Sequence, residues 1–287
     1  METDTQQLHM VGFTLPESLV EEVTPLLVTH CPHGWQEAGG ASATQRTFYL
    51  YFENPLDATH LLQTLTARWP EIEPQTGGVK KEQWASAWKR FFTQIDIAHR
   101  FRVQPPWAEP INDGLEPLVI NPQMAFGTGH HATTSLCLEA LVDLHASGRI
   151  QEGDRFLDAG TGSGILGIAC TKLGLTGLGF DLDPLTLENI HENKVLNHVG
   201  PAFSAFVGTI DCVQADSGFD LILANILAAP LISLAPALTA RLRSGGCLVL
   251  SGLLQSQLAR VLAAYEDQGL DTPSVMTRGD WACLVFA

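Results

Sequence analysis

Residues 156–164 read Phe-Leu-Asp-Ala-Gly-Thr-Gly-Ser-Gly, an apolar run that ends on Asp158 and opens into glycines at 160, 162 and 164. Ile165 to Leu173 then carries helix-like apolar spacing, so the stretch reads as strand, tight turn and helix. Chains built on this unit form open sheets whose ligands sit where the strands end. Glycines let a backbone approach a ligand closely, and the following helix end offers unpaired N–H groups. Gly179-Phe180-Asp181 looks like the end of a second strand. It places a carboxylate about 20 residues downstream, where a ribose hydroxyl pair would lie. A glycine-rich surface turn without a ligand is the bland alternative, and Asp181 weighs against it.

The spacing of the glycines separates two cofactors. Dinucleotide dehydrogenases use G-x-G-x-x-G, whereas the third glycine here comes one residue early, behind Asp158. The pattern resembles the adenosylmethionine-binding fingerprint of class I methyltransferases; a dehydrogenase is the next enzyme reading.

At 287 residues the chain exceeds a typical single domain, so two domains are the default. Sixteen basic against 31 acidic residues give a net charge of −15 and a pI near 4.9. Such a surface repels phosphate backbones and attracts basic partners, which makes nucleic acid a poor substrate; acidity that merely keeps the protein soluble is the competing explanation. Six cysteines show no C-x-x-C pair and no nearby His spacing, so neither a zinc site nor a disulfide framework is indicated. With no signal peptide and no apolar run of membrane-spanning length, the expected location is the cytoplasm.

In chain order, residues 8–14 read as strand, 16–28 as helix, 34–38 and 47–52 as strands, 54–69 as helix and 71–79 as a last strand. That β-α-β-β-α-β order is ferredoxin-like and carries no evident catalytic residue. Residues 80–104 are expected to form a helical linker, with Trp84 and Trp88 on one face, packing it onto a domain. From 105 to 122 the chain is rich in proline and turn residues.

A second glycine-rich stretch, Met124 to Thr134, leads into a helix over 135–145. Phe126 offers a flat face beside the loop at Gly127-Thr128-Gly129, and hydroxyls at Thr133 and Thr134 sit where the helix starts. His130 and His131 lack a third ligand by spacing, so no metal site is read there. Later segments alternate: helix 185–197, strand 202–207, strand 219–225, helix 231–242, strand 247–251, helix 255–265, and strands near 274–278 and 281–286. Right-handed crossovers then give a doubly wound α/β sheet over 105–287, Rossmann-like, behind a ferredoxin-like α+β domain over 1–79. Asp158, Asp181 and Asn225 all finish strands and so share one carboxyl edge. Asn225 could hold an incoming amine there, or could merely cap the next helix.

Taken together, Trp84-x-x-x-Trp88, Ala125-Phe126-Gly127-Thr128-Gly129-x-His131-x-Thr133-Thr134, the Gly160 to Leu166 fingerprint, Asp181-x-Asp183-Pro184 and Ala224-Asn225-Ile226-Leu227-Ala228 resemble the PrmA-type methyltransferases. These modify protein L-eleven of the large ribosomal subunit. The resemblance implies a small N-terminal domain that grips the ribosomal protein, a helical linker and a class I catalytic domain. It implies S-adenosylmethionine as cofactor, bound at Thr134, Gly160, Asp181 and Asn225. Ala132 stands where many members have proline and Thr161 where some have cysteine; neither change removes a ligand group.

Convergence at one edge assigns Asp158 to the cofactor pocket, Asp181 to the ribose, and Gly160, Gly162, Gly164 and Thr134 to the methionine and sugar. Phe126 and Thr128 go to the loop over the methyl, and Asn225 to the amine. The expected protein is a monomeric lysine or α-amine methyltransferase acting on a basic ribosomal protein, free or on the large subunit, with no membrane and no direct nucleic-acid readout. A methyltransferase for another protein and a noncatalytic ribosome-binding module both stay open.

Overall fold

A computed structural model describes residues 7–31, 35–38, 45–80, 92–121, 131–215 and 218–287. The chain divides into two compact units, Met1–Phe92 and Thr93–Ala287.

The first unit runs β1 Gln7–Pro16, α1 Glu17–His30, β2 Gln36–Ala38, β3 Gln45–Phe52, α2 Pro55–Arg68 and β4 Gln75–Lys80. Its four strands are antiparallel in the order β2-β3-β1-β4, the ferredoxin-like arrangement. Strand periodicity decides which face is dry: Val11, Phe13 and Leu15 alternate along β1, and Phe48, Leu50 and Phe52 along β3. They meet Leu61, Leu65 and Trp69 in one core. Each such side chain taken out of water contributes about 1.5–3 kcal/mol. Helix α2 starts where it does because Asn54 Oδ1 accepts from Leu56 N at 3.0 Å and Pro55 occupies the first turn, where its missing N–H is no loss.

The second unit is organised on a seven-stranded sheet in the order β10-β9-β8-β11-β12-β14-β13. Its strands are β8 Arg155–Ala159, β9 Thr176–Asp181, β10 Phe203–Val207, β11 Phe219–Asn225, β12 Leu242–Leu254, β13 Ser274–Arg278 and β14 Trp281–Phe286. β8 to β12 pair in parallel, and β14 runs antiparallel between β12 and β13. Helices α3 Ala132–Ala146, α4 Ile165–Lys172, α5 Thr186–Leu196, α6 Ala228–Thr239 and α7 Leu258–Glu266 complete it. From Leu221 to Ala224 β11 is apolar without alternation because both its faces are covered. Leu221 and Leu223 join one core with Leu136, Leu141 and Ile168, while Ile222 and Ala224 join the other with Leu231, Val261 and Tyr265.

Three expectations need correction. Residues 93–104, expected within a helical linker, belong to the second unit, where β5 Ile95–Ile97 and β6 Phe101–Gln104 form strands; residues 81–91, including Trp84 and Trp88, lie outside the described residues. The proline-rich stretch also contains a strand, β7 Glu116–Val119, parallel to β6 in the sheet β5-β6-β7. Pro117 is tolerated because β7 is an edge strand whose Glu116 and Ile120 N–H groups donate to carbonyls at the two ends of β6, which leaves position 117 facing away from it. Arg102 on β6 is held by Asp96 of β5 at 2.6 Å and by Asp113 of the β6–β7 connection at 2.8 Å, and its guanidinium keeps both carboxyls below their ordinary range. Helix α6 also begins three residues before the expected start at 231 and ends at 239.

Candidate active site

The fingerprint turn and Asp181 meet directly. Gly160, Gly162 and Gly164 have φ of +72°, +53° and +82°, values that a side chain would oppose. That backbone turns the chain back toward β9, so Gly160 N and Thr161 N donate to Phe180 O at 2.9 and 3.0 Å. Gly162 N donates to Asp181 Oδ2 at 2.9 Å, and Asp183 N donates to Asp181 Oδ1 at 3.1 Å. An ionised carboxylate has about four lone-pair sites, so Asp181 keeps acceptor capacity for a hydroxyl pair. Beside it Leu182 is 72% exposed, an apolar side chain at the rim of the same strand end.

Asp158 has a different place from the one expected. It is 1% exposed and lies beneath the turn, where its Oδ2 accepts from Thr161 Oγ1 at 2.7 Å and Gly167 N at 3.2 Å. Its Oδ1 is buried without a partner. Burial pushes its carboxyl up to about 6 against the lowering effect of those two donors, with the Asp181 charge adding to the rise. Through Thr161 and Gly167 it braces the turn from behind.

Across the sheet, Asn225 Nδ2 donates to Thr134 Oγ1 at 3.2 Å, joining the end of β11 to the first turn of α3. Asn225 does not cap α6, which starts after Leu227 with no side-chain cap. Its Oδ1 is buried and unpartnered, an acceptor held ready without a donor. Thr134 is fully buried and so presents its hydroxyl in one place. Helix α3 is capped by His131, whose Nδ1 lies 2.7 Å from Thr133 Oγ1 and accepts from Thr133 N at 3.4 Å. Burial lowers the His131 imidazole to about 4, which leaves it neutral near pH 7 and able to accept. Its ring meets Trp281 edge-on at 4.6 Å. Phe126 and Thr128 lie outside the described residues.

Sequence reasoning missed a set of asparagines on α5 and at its C-cap. Asn193 Nδ2 donates to Ser163 O in the fingerprint turn at 2.8 Å, and its Oδ1 accepts from Asn121 N at 2.8 Å. Asn197 grips Val119 through both its backbone N and O, at 2.8 and 2.6 Å. One helix thereby ties the turn to the segment that enters the second glycine-rich stretch. The signal was present in the spacing: Asn189, Asn193 and Asn197 stand four apart, poor helix formers repeated on one face.

The arrangement suits a cationic nucleoside. Asp181 offers acceptors to a ribose, the glycine turn leaves no side chain in the way, and Asn225 Oδ1 lacks a donor that a bound amine or ammonium could supply. The sequence profile described as ribosomal protein L11 methyltransferase (PrmA) matches residues 35–287. A ribosomal protein L11 methyltransferase of Trichlorobacter lovleyi is 38% identical over 231 residues, covering 79% of this chain and 75% of that protein. That of Geobacter sulfurreducens is 40% identical over 220 residues, covering 76% and 70%. The crystal structure of a ribosomal protein L11 methylase from Lactobacillus delbrueckii subsp. bulgaricus superposes with a TM-score of 0.61 at 29% identity, over 68% of this chain and 98% of that one. On the extent of the profile match and the identity to these relatives, the chain belongs to the ribosomal protein L11 methyltransferase (PrmA) family.

Proposed function

We propose that this protein transfers methyl groups from S-adenosylmethionine to amino groups of ribosomal protein L11, the observation that carries the reading being the convergence of Asp181, the Gly160 turn, Thr134 and Asn225 at one sheet edge. The cofactor supplies an electrophilic methyl carbon on a sulfonium. Asp181 accepts from the ribose; Gly160, Gly162 and Gly164 admit the methionine portion; the Thr134 hydroxyl orients the Asn225 amide. Asn225 Oδ1 then accepts from the incoming amine and aims its lone pair.

Positioning supplies much of the rate of an in-line displacement, and no strong acid is needed. The amine must be neutral. Freeing a lysine near pKa 10.4 of its proton at pH 7 costs about 4 to 5 kcal/mol, against about 1 kcal/mol for an α-amine near 7.8. Enclosing the lysine beside apolar groups lowers that cost by disfavouring the ammonium.

The first unit, with a ferredoxin-like fold and no buried polar side chain among its described residues, is assigned to gripping the substrate. An acidic chain of net charge −15 suits a basic protein partner. A monomer suffices, since all four site residues come from one chain. No described helix is long and apolar enough to cross a membrane, and the proposed place of action is the cytoplasm, with the ribosomes. Incubation with methyl-labelled S-adenosylmethionine, purified L11 and a ribosome-containing lysate tests this. Label in L11 is expected; label confined to another protein, or no transfer, refutes the reading.

A further inference from the structure

The residue that follows Asn225 has no polar group, yet two parts of the site close on it. A Cβ on Gly160 would overlap the Cγ2 methyl of Ile226, so that methyl occupies the notch left where the fingerprint turn lacks a side chain. On the other side, a Cβ on Gly252 would lie 2.7 Å from the Ile226 carbonyl carbon and 2.9 Å from its nitrogen. Gly252 has φ +87° and sits where the pairing of β12 with β14 slips between Ser251 and Leu253. That bulge brings the β12 backbone against β11's end, and Ile226 N donates to Ser251 O at 3.1 Å.

We propose that Ile226 is a positioning residue, seated between Gly160 and Gly252 so that one side chain fixes the Asn225 amide relative to the turn that holds the cofactor. The proposal rests on the methyl-transfer reading. Its physical basis is branching at Cβ: isoleucine is stiff at χ1, so the Cγ2 methyl has one place to go, and the peptide that carries Asn225 cannot rotate without driving that methyl into Gly160. Thr134 fixes the amide from its far end through Nδ2, and Ile226 fixes the backbone from below. Donor turn and acceptor amide are thus held in register by contact rather than by a hydrogen bond.

Shape and bulk make opposite demands here. Valine is smaller than isoleucine but keeps both γ carbons, whereas leucine has isoleucine's volume and no branch at Cβ. The test measures kcat at saturating cofactor and L11, cofactor Kd by calorimetry, and thermal melting, for wild type, Ile226→Val, Ile226→Leu and Ile226→Ala. Leu and Ala are expected to lose about tenfold in kcat, with cofactor Kd within about threefold, because the turn's bonds to Phe180 and Asp181 remain. Val is expected to turn over at least about five times faster than Leu despite its smaller size. Leu equal to or faster than Val, or a loss lying wholly in cofactor Kd, overturns the role of Ile226. A wild-type protein that transfers no methyl to L11 overturns instead the reading beneath it.

Discussion

The two units differ in what they leave unfinished. Among the described residues, every buried polar side chain and every buried side-chain nitrogen or oxygen without a partner belongs to the second unit: Arg102, Asp158, Asn189, Asn225 and Thr239 hold the unpartnered atoms. The described core of the first is wholly apolar. A buried acceptor without a donor costs about 1–3 kcal/mol, so a unit selected only to hold its shape loses such groups. Two of them, on Asp158 and Asn225, fall at strand ends of the parallel sheet, where ligands of such sheets bind.

If that division is functional, damage to the first core leaves the cofactor site alone. Leu61→Ala, at a fully buried position of α2, is expected to destabilise the first unit by about 3 kcal/mol through lost transfer energy and a cavity. Calorimetry should find cofactor Kd within about twofold, because Leu61 packs within the first unit's own core. A parallel fall in cofactor affinity would break the comparison. On the chemical side, Asn225→Ala is expected to lower kcat about 100-fold, or about 2.7 kcal/mol, with cofactor Kd moved much less. Single-turnover transfer of label to L11 gives the number, and unchanged turnover removes Asn225 from the mechanism.

Where the sequence was legible, period carried it. β1 and β3 alternate, β11 is apolar from Leu221 to Ala224, and the glycines after Asp158 mark the turn, so the order of the elements in the first unit and along the seven-stranded sheet follows from pattern alone. The sheet β5-β6-β7 was hidden because its strands are three or four residues long, too short for a period, and one contains Pro117. Pro230 obscured the start of α6 by standing inside its first turn, while Pro236 lies within the helix without ending it. At the site, spacing placed Asp158 at the right strand end but could not say which way its carboxyl looks; the turn takes it up through Thr161 and Gly167. The contact of Ile226 with Gly160 joins residues far apart in the chain, and neither carries a local mark of it.

A smaller effect separates the two carboxylates. Asp181 holds the turn from the end of β9 while Asp158 is buried beneath it, so neutralising each should show in a different measurement. Asp181→Asn removes one acceptor oxygen and the charge that strengthens bonds to a ribose, and is expected to raise cofactor Kd about 30-fold, or about 2 kcal/mol. Equilibrium titration decides it, and an unaltered Kd would take Asp181 out of the cofactor's reach.

Asp158→Asn should instead appear as a change in how stability depends on pH. The folded carboxyl titrates near 6 and the unfolded one near 3.8, so the folded state binds the extra proton between those values. Ionised Asp158 therefore destabilises the fold above pH 6, and the penalty shrinks as pH falls from 6 toward 3.8. Asparagine has no charge to bury and can still accept from Thr161 and Gly167 through its carbonyl oxygen. The stability of Asp158→Asn relative to wild type should then be about 1.4 kcal/mol more favourable at pH 7 than at pH 5, one pKa unit of difference between the two conditions. Urea unfolding of both proteins at the two pH values measures it. A difference that does not change with pH would mean that Asp158 is not the buried, half-satisfied acid that braces the turn.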